Sequence, residues 1–272
     1  MCLSALLFSV MQILIRLTGD TVPLMEQVFF RNIVSSIMIF CVIKRNKGSL
    51  FGEKSQQPLL FARSIAGTLG LVSMFYASAR AYQADVAIMT RLAPFLITLW
   101  AFLFLKEKIA KVQIPALFIA FVGAAFVVNP AFHSNLFPLF IAFLCSVFSS
   151  VAYTLLAYSK DKVDPLTVVM HFSTFCAMIS LPFIWLDFVI PSIQDSLLLI
   201  LMGILGSFGQ IALTYAYRMA PASEVSIYNY SGILFSGGLA YFILGETIRL
   251  ASLVGGFLVV LASFLVYRFT KT

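Results

Sequence analysis

The sequence predicts an all-α polytopic membrane protein, with ten transmembrane helices arranged as two inverted five-helix repeats. Hydrophobic residues make up 61% of the 272-residue chain, and charged residues make up only 11%, against about a quarter in soluble domains. Apolar runs of about 20 residues recur along the whole chain, and each is long enough to cross a bilayer as a helix. A membrane β-barrel would instead show short segments of alternating polarity.

A duplicated segment reveals the internal repeat. Residues 85–109 read DVAIMTRLAPFLITLWAFLFLKEKI and residues 224–248 read EVSIYNYSGILFSGGLAYFILGETI, so the two copies align without a gap at an offset of 139 residues. Each copy is an apolar run with an acid at its start and another near its end. Further pairs at the same offset are Gly67 and Gly206, Gly70 and Gly209, and Tyr76 and Tyr215. The repeat predicts two halves, residues 1–131 and 132–272.

The apolar runs divide each half into five spans. The predicted spans cover residues 2–18, 25–43, 58–80, 85–105, 111–130, 136–158, 166–187, 195–218, 222–244 and 249–268. Because five is an odd number, the second half must enter the membrane with the opposite orientation. Inverted repeats of this kind recur in secondary transporters and provide two mirror-related states, one open to each side. The first span lacks the basic region and cleavage site of a signal peptide, so we expect it to be retained.

The charges in the loops predict the orientation of these spans. Loop 44–58 holds four basic residues and a single acid, Glu53. Since cytoplasmic loops carry an excess of lysine and arginine, we expect this loop and both termini to lie in the cytoplasm. We expect the membrane to be a prokaryotic inner or plasma membrane. The later loops on this side are also basic. Topology then explains the net charge of +7 without nucleic-acid binding.

These features resemble a known family. Two five-span halves, each with a Tyr-Ala pair, a helix that begins at an acid and a terminal glutamate, are similar to the EamA module of the drug/metabolite transporter superfamily. The first copy, LAPFLITLWAFLFLKEK, follows the family pattern of a proline-bearing helix that ends in Leu-x-Glu. The second copy has Gly232-Ile233 at the position of Ala93-Pro94. The resemblance implies a basket of helices around a central cavity, with spans 1, 3, 4, 6, 8 and 9 as walls and spans 5 and 10 at the periphery.

Polar residues inside the spans are the candidates for substrate binding, because they are costly in hydrocarbon. Arg91 follows Thr90 in span 4; it could bind a carboxylate or phosphate, pair with Asp85, or snorkel to the interface. Asn229 and Tyr230 occupy the equivalent positions in span 9. The other candidates are Gln210, Thr214, Tyr215 and Tyr217 in span 8, Tyr228 in span 9, and Gln12 and Ser9 in span 1. A cation facing phenol and amide groups suits an amphipathic metabolite with an anionic end; helix–helix hydrogen bonding is the alternative role.

Four further residues receive mainly structural interpretations. Arg31 is expected to pair with Glu26 or to contact helix ends, with ligand binding as the alternative, and Arg63 is expected to reach the headgroups from near a helix end. His171 could titrate and couple proton flow to transport, although a lone histidine in an apolar helix is more often a packing residue. Glu107, like the matching acid Glu246 of the second copy, is expected to cap a junction between helices of its own half.

The sequence therefore predicts a secondary transporter, in particular an exporter of a small metabolite such as an amino acid or a related compound, working by alternating access. It contains no HExxH motif, no paired intramembrane aspartates and no Gly-Lys-Ser/Thr loop, which argues against an enzyme and against ATP-driven transport within the chain. A channel or a structural membrane subunit is the remaining alternative. We expect no cofactor and no metal. The expected partners are the substrate and the lipid bilayer, and the pattern leaves both a monomer and a homodimer open.

Overall fold

The computed structural model describes residues 1–18, 21–81, 83–129, 135–244 and 250–270, and these ranges contain helices and connecting loops but no strand. The first half contains α1 Cys2–Thr18, α2 Leu24–Arg45, α3 Gln57–Arg80, α4 Gln83–Thr90, α5 Ala93–Phe104 and α6 Gln113–Val128. The second half contains α7 Leu136–Tyr158, α8 Pro165–Asp187, α9 Ile193–Met219, α10 Ala222–Ile227, α11 Ser231–Leu244 and α12 Leu250–Phe269. Short 3₁₀ helices cover Lys54–Gln56 and Tyr228–Tyr230.

Several of these helices are long and apolar enough to cross a membrane. Within the described ranges there are six such segments, at Leu24–Arg45, Asp85–Phe104, Leu136–Tyr158, Pro165–Leu186, Ile193–Met219 and Leu250–Phe269. Cys2–Ile15 and Gln113–Val128 are shorter apolar helices. The predicted class, a multi-pass α-helical membrane protein, is confirmed, whereas the count of ten spans stays a prediction.

The helices begin and end where the local sequence favours it. The Asp164 carboxylate accepts hydrogen bonds from the backbone N–H groups of Leu166 at 2.8 Å and Thr167 at 3.3 Å, and Pro165 occupies the first turn of α8. These side chains satisfy or remove N–H groups that have no partner inside the helix. Asn129 ends α6 in the left-handed conformation, with a φ of 49°, which asparagine tolerates better than most residues.

Two of the predicted spans are broken near the middle of the bundle. The span that we predicted at 85–105 consists of α4 and α5, and the break falls at residues 91–92, ahead of Pro94. Proline has no N–H to donate to the carbonyl four residues earlier, here that of Thr90, and its ring clashes with that carbonyl. In the second half, the turn Tyr228–Tyr230 separates α10 from α11 without a proline. The two breaks touch, since the Tyr230 hydroxyl donates a 2.7 Å hydrogen bond to the backbone oxygen of Arg91.

The helix contacts between the two halves come in exchange-related pairs. Replacing each helix of a contact by its counterpart in the other half gives the second contact of the pair. Helix α3 contacts α7 as α9 contacts α1, and α5 contacts α7 as α11 contacts α1. Helices α2 and α8 contact each other directly, as do α6 and α12. Ser35 and Ser173, at the α2–α8 contact, have their hydroxyl oxygens 3.1 Å apart. A two-fold relation between the halves would produce this set of contacts.

Helices α6 and α12 approach each other closely through glycine. A Cβ on Gly123 would lie 2.6 Å from the backbone oxygen of Gly255, and a Cβ on Gly255 would meet the backbone oxygen of Gly123 in the same way. Only residues without a side chain allow two helix backbones to come so near. On their other faces the helices expose Phe118 and Phe257, with 59% and 66% of their surface accessible.

The loops at one end of the bundle are tied together by hydrogen bonds. Thr167 donates to the backbone oxygen of Ser49 at 2.6 Å, Gln56 donates to that of Lys162 at 2.7 Å, and Arg218 donates to that of Val163 at 2.6 Å. We call the end formed by loops 46–53, 105–112, 159–164 and 220–221 the basic face, after its lysines at positions 47, 106, 108, 111, 160 and 162.

The opposite end of the bundle, which we call the acidic face, is held by two contacts of carboxylates. Thr21 donates to Asp195 at 2.9 Å, and the backbone N–H of Val189 donates to Glu26 at 3.2 Å. Loops that the sequence assigns to one side of a membrane therefore share one end of the molecule. Met1 packs into a cluster with Leu60 near the basic face.

Candidate substrate-binding site

Glu107 joins the two halves at the basic face. Its carboxylate accepts hydrogen bonds from the backbone N–H of Ala222 at 2.8 Å, the backbone N–H of Ser223 at 3.1 Å and the Ser223 hydroxyl at 2.7 Å. A negative charge is favourable at the N-terminus of a helix, here α10, because the N–H groups there point outward without partners. Glu107 therefore caps a helix as predicted, but the helix belongs to the second half and not to its own. Its counterpart Glu246 lies outside the described residues.

An apolar cluster closes the bundle toward the basic face. We define the inner cluster by its buried side chains, which are Leu60, Ile97, Ala101, Leu156, Val163, Val168, Leu213, Tyr217, Ala222 and Val225. It joins α3, α5, α7, α8, α9 and α10, and Phe8 of α1 packs against it. Toward the acidic face, α1 and α9 share one cluster and α3, α4 and α7 share another. No cluster of buried residues in the described ranges joins these two.

Three arginines surround one tyrosine in the interior. Tyr153 of α7 lies within electrostatic reach of Arg31, Arg63 and Arg91, which come from α2, α3 and the break between α4 and α5. Arg31, Arg91 and Tyr153 are each half-buried. Tyr153 thus has cations from three different segments of the chain in its surroundings.

Arg63 lies inside the bundle, and the prediction that it reaches the headgroups was wrong. Only 3% of its surface is exposed, and its guanidinium carbon lies 3.9 Å from the centre of the Phe172 ring. Gly67, one helical turn further on, leaves room for it, since a Cβ there would lie 2.9 Å from Nη1 of Arg63. The Nε and Nη1 atoms of Arg63 are buried without a hydrogen-bond partner.

Arg31 also faces the interior, and its expected pairing with Glu26 was wrong. The two residues are five positions apart on α2, which places them about 140° apart around the helix. One carboxylate oxygen of Glu26 accepts from Val189, and the other is buried without a partner. The stem of Arg31 packs instead over Gly206, where a Cβ would lie 3.3 Å from its Cγ.

Arg91 lies at the break where the two halves meet. Its Nε is buried without a hydrogen-bond partner, and its guanidinium is within electrostatic reach of Tyr153 and Tyr230. Tyr230 is fully buried, and its hydroxyl donates to the backbone of Arg91. The Thr90 hydroxyl donates to Ala87 of its own helix at 2.8 Å. The structure thus brings Arg91 and Tyr230 together, with Tyr230 holding the backbone that carries the cation.

The candidates on α9 divide between its two faces. Gln210 is buried, and its Nε2 has no hydrogen-bond partner. Tyr215 is 43% exposed and lies in line with the exposed Leu201 and Phe208, which precede it by fourteen and seven residues, about four and two helical turns. This stripe places Tyr215 on the outer surface of the bundle, so we do not keep it as a binding residue. Tyr217, only two residues later, is 1% exposed.

Asn229 and Gln12 are two further candidates. Asn229 is half-buried in the turn Tyr228–Tyr230. Gln12 is exposed on α1, nine residues after the exposed Leu3, and therefore on the opposite side of the helix from it. That position faces away from the outward surface marked by Leu3.

Sequence reasoning did not single out Tyr153, whereas Tyr217 was one of the candidates in span 8. The two rings stack with centroids 5.4 Å apart and an angle of 20° between their planes. The Tyr217 hydroxyl is buried without a hydrogen-bond partner. Tyrosines are common in membrane helices, and only the contact between α7 and α9 shows that these two form a planar surface beside the arginines.

His171 occupies a packed position between α3 and α8. Its Nδ1 lies 2.9 Å from the Ser64 hydroxyl, and its ring meets the edge of Phe61 at 4.7 Å between centroids. It is 6% exposed. A hydrogen-bonded, aromatic-packed imidazole agrees with the structural interpretation of this residue.

The family model described as "EamA-like transporter family" matches residues 1–129 and 136–268. The chain belongs to the EamA-like transporter family. It is therefore a membrane transporter and not an enzyme. The chain is 29% identical to the pseudopaline exporter CntI of Pseudomonas aeruginosa, over 99% of this chain and 95% of that protein.

Other relatives differ in their named roles. An S-adenosylmethionine uptake transporter of Rickettsia prowazekii is 24% identical over 99% of this chain and 92% of its own. Solute carrier family 35 member G1 of Mus musculus is 27% identical over 86% of this chain and 68% of its own. A crystal structure of another protein has the same fold, with a TM-score of 0.87 and 17% identity over 99% of this chain and 96% of that one.

Proposed function

We propose that this EamA-like transporter is a secondary transporter that exports a small organic anion by alternating access. The observation that carries the proposal is a set of buried hydrogen-bond donors without partners around the interior arginines. They are Nε and Nη1 of Arg63, Nε of Arg91, Nε2 of Gln210 and the hydroxyl of Tyr217.

Unpartnered donors of this kind are unusual in a folded protein. Most buried polar groups are paired, and each unpaired one costs about 1–3 kcal/mol. All of these atoms can donate, so the matching ligand must accept, as a carboxylate or phosphate does. The stacked rings of Tyr153 and Tyr217 supply a flat apolar surface beside the donors. A small metabolite with an anionic end fits this combination.

We place these residues in a fold of ten spans, with inverted halves at residues 1–131 and 132–272 around a central cavity. The exchange-related helix contacts support this arrangement. By the positive-inside rule the basic face is cytoplasmic, so both termini lie in the cytoplasm of a prokaryotic cell membrane. The inner cluster then closes the cytoplasmic side of the cavity, and the structure corresponds to an outward-facing state.

Labelling of an introduced cysteine tests this orientation. Ser49 lies in loop 46–53 at the basic face, and Ser49→Cys in intact cells should react with membrane-impermeant maleimide only after permeabilisation. The native cysteines at positions 2, 41, 145 and 176 are replaced first. Reaction in intact cells would invert the topology.

Export is the proposed direction because an exporter is 29% identical to this chain over nearly the whole length of both. The uptake transporter among the relatives makes direct measurement necessary. Flux in inside-out and right-side-out vesicles, with and without a pH gradient, separates export from uptake and exchange from proton coupling. Saturable counterflow supports a carrier, whereas unsaturable flux would identify a channel.

Removal of Arg91 tests the site. Arg91→Ala keeps the backbone oxygen that Tyr230 contacts and should lower transport of an anionic substrate about 30-fold or more, since truncating one partner of a buried charge contact costs at least 2 kcal/mol. Folded yield should stay unchanged. The matched control is Arg80→Ala, at the exposed end of α3. Normal kinetics in Arg91→Ala would refute the proposed site.

A further inference from the structure

We propose that Arg31 and Arg63 together bind one doubly charged phosphoryl group of the substrate, as in a phosphate monoester. This inference rests on the proposed function and specifies the substrate class of the same site. The two arginines form a single subsite, in which one tetrahedral group accepts hydrogen bonds from both guanidinium groups.

The side chain of Arg63 reaches the level of Cys176 on α8. Its Nη1 lies over Gly67, one helical turn further along α3, where a Cβ would come within 2.9 Å of it. The next residue, Thr68, has its hydroxyl oxygen 3.2 Å from the sulfur of Cys176. Because neighbouring residues of a helix differ in height by about 1.5 Å, the Arg63 guanidinium lies at nearly the same height as this contact.

Arg31 lies at the same level on α2. The hydroxyl oxygens of Ser35 and Ser173 are 3.1 Å apart, and α2 runs toward the basic face whereas α8 runs away from it. One helical turn from this contact toward the acidic face, α2 carries Arg31 and α8 carries Ala177, the neighbour of Cys176. The two arginines therefore approach one level of α8 from α2 and from α3.

Tyr153 of α7 lies close to this level as well. A Cβ on Gly70 would come 2.8 Å from the hydroxyl oxygen of Ser149, and α7 runs in the opposite direction to α3. One turn from this contact toward the basic face, α7 carries Tyr153 and α3 carries Ala66, the neighbour of Gly67. The phenol therefore stands beside the segment of α3 over which the Arg63 guanidinium lies.

The two guanidinium groups share one neighbourhood. Arg31 and Arg63 are both within electrostatic reach of Cys176 and Tyr153. Thiols and phenols are uncharged at neutral pH, and the Cys176 thiol already contacts Thr68. Neither group balances a guanidinium charge, and Nε and Nη1 of Arg63 are buried without a hydrogen-bond partner.

A phosphoryl group suits two guanidinium groups from different helices better than a carboxylate does. A carboxylate has two oxygens in one plane, which a single guanidinium can occupy as a fork. A phosphate monoester has three acceptor oxygens and a charge of about −1.5 to −2 at pH 7. It can therefore accept hydrogen bonds from both arginines at once and balance both charges.

The surroundings leave the subsite open to the rest of the substrate. The Phe172 ring covers one face of the Arg63 guanidinium, so the anion meets its N–H edge. Arg31 and Tyr153 are half-buried, and the Tyr153 ring stacks on Tyr217. The organic body of the phosphate ester then lies along this pair of rings.

Ligand-dependent thermal stability of the purified full-length protein tests the inference. The probes are phenyl phosphate, phenyl sulfate and benzoate at equal ionic strength and about pH 7.5, where a phosphate monoester is doubly charged. All three share one aromatic ring. Phenyl sulfate keeps the tetrahedral oxygens with a single charge, and benzoate has a planar group with a single charge.

A ligand that binds only the folded state raises the melting temperature once its concentration exceeds Kd. We expect phenyl phosphate to half-saturate at a concentration about tenfold or more below the other two probes. A factor of ten corresponds to about 1.4 kcal/mol, close to the contribution of one additional hydrogen bond between charged groups.

The variants Arg31→Gln and Arg63→Gln should each reduce this preference to about twofold or less, because a single guanidinium remains to meet the anion. Lys160→Gln removes an exposed loop charge at the basic face and should keep the preference. If a glutamine variant fails to fold, the lysine variant at the same position keeps the charge but loses the planar fork. It should weaken the binding of phenyl phosphate more than that of benzoate, and equal weakening would count against the subsite.

The outcomes separate this inference from the proposed function. Equal half-saturating concentrations for the three probes would overturn the doubly charged class while leaving a transporter of organic anions. Retained preference in both glutamine variants would overturn the assignment to Arg31 and Arg63. Flux of another organic anion without any shift by phenyl phosphate would overturn the inference alone. If no probe shifts the melting temperature and vesicles show no flux of any organic anion, the proposed function fails as well.

Discussion

The two halves carry opposite chemistry at equivalent positions of one shared framework. Arg91 corresponds to Tyr230, and Arg63 corresponds to Met202 at the same offset of 139 residues. The equivalent glycines Gly67 and Gly206 show the same contrast, because Phe172 lies over the first and Arg31 lies over the second. The first half therefore supplies the three interior arginines, and the second half supplies the tyrosines Tyr153, Tyr217 and Tyr230 near them.

The contacts between corresponding helices of the two halves have a different role. Gly123 and Gly255 make reciprocal backbone contacts between α6 and α12, and Ser35 and Ser173 meet between α2 and α8. These contacts hold the halves together. Corresponding helices therefore build the framework, whereas the divergent positions of the interior are free to contact a substrate that has no two-fold symmetry.

The largest effect on stability is expected from breaking the contact between α6 and α12. Gly123→Ala places a Cβ against the backbone oxygen of Gly255, and because backbone cannot move aside easily we expect a loss of about 3 kcal/mol in stability. Gly255→Ala should cost a similar amount. Gly237→Ala is the control, since a Cβ there meets nothing within 4 Å. Thermal melting in detergent provides the measurement, and an unchanged melting temperature for both variants at the contact would contradict the α6–α12 packing.

A smaller effect on stability is expected at the contact between Glu107 of the first half and the start of α10 in the second half. Glu107→Ala removes the acceptor for Ala222 and Ser223 at the start of α10, and we expect a loss of about 2 kcal/mol. Glu107→Gln keeps one acceptor oxygen, so its stability should lie between those of Glu107→Ala and the wild type. Melting temperatures in the order wild type, Gln, Ala support the cap, and equal values for all three would show that α10 does not depend on it.

The smallest effect is expected on transport, at Tyr217 of the second half. Tyr217→Phe removes a buried hydroxyl without a partner, so stability should not fall. If the substrate accepts a hydrogen bond from that hydroxyl, transport should decrease about fivefold, which corresponds to about 1 kcal/mol. Tyr215→Phe, on the outer surface two residues earlier, should change neither. Equal transport in the two variants would mean that the second half contributes only packing.

The sequence predicted part of the site because polar residues stand out inside apolar runs. Arg91 and Gln210 were found in this way, and both carry buried unpartnered donors. Arg63 was missed because its distance from a helix end was taken as access to the headgroups, whereas the packing of α3 against α7 and α8 turns it inward. Tyr153 gave no signal of its own, since its role depends on Tyr217 and on arginines from three other segments.

The sequence by itself determined the membrane class, the internal repeat and the family, because these depend on composition, spacing and matching residues along one chain. Tertiary structure decided which polar groups meet. Tyr215 and Tyr217 show why, since both are tyrosines in the same apolar helix. Two residues of helix rotate a side chain by about 200°, so one tyrosine lies on the outer surface and the other beside the cations. The neighbouring helices decide which face of α9 points toward the interior. The spacing of residues along α9 does not encode that choice.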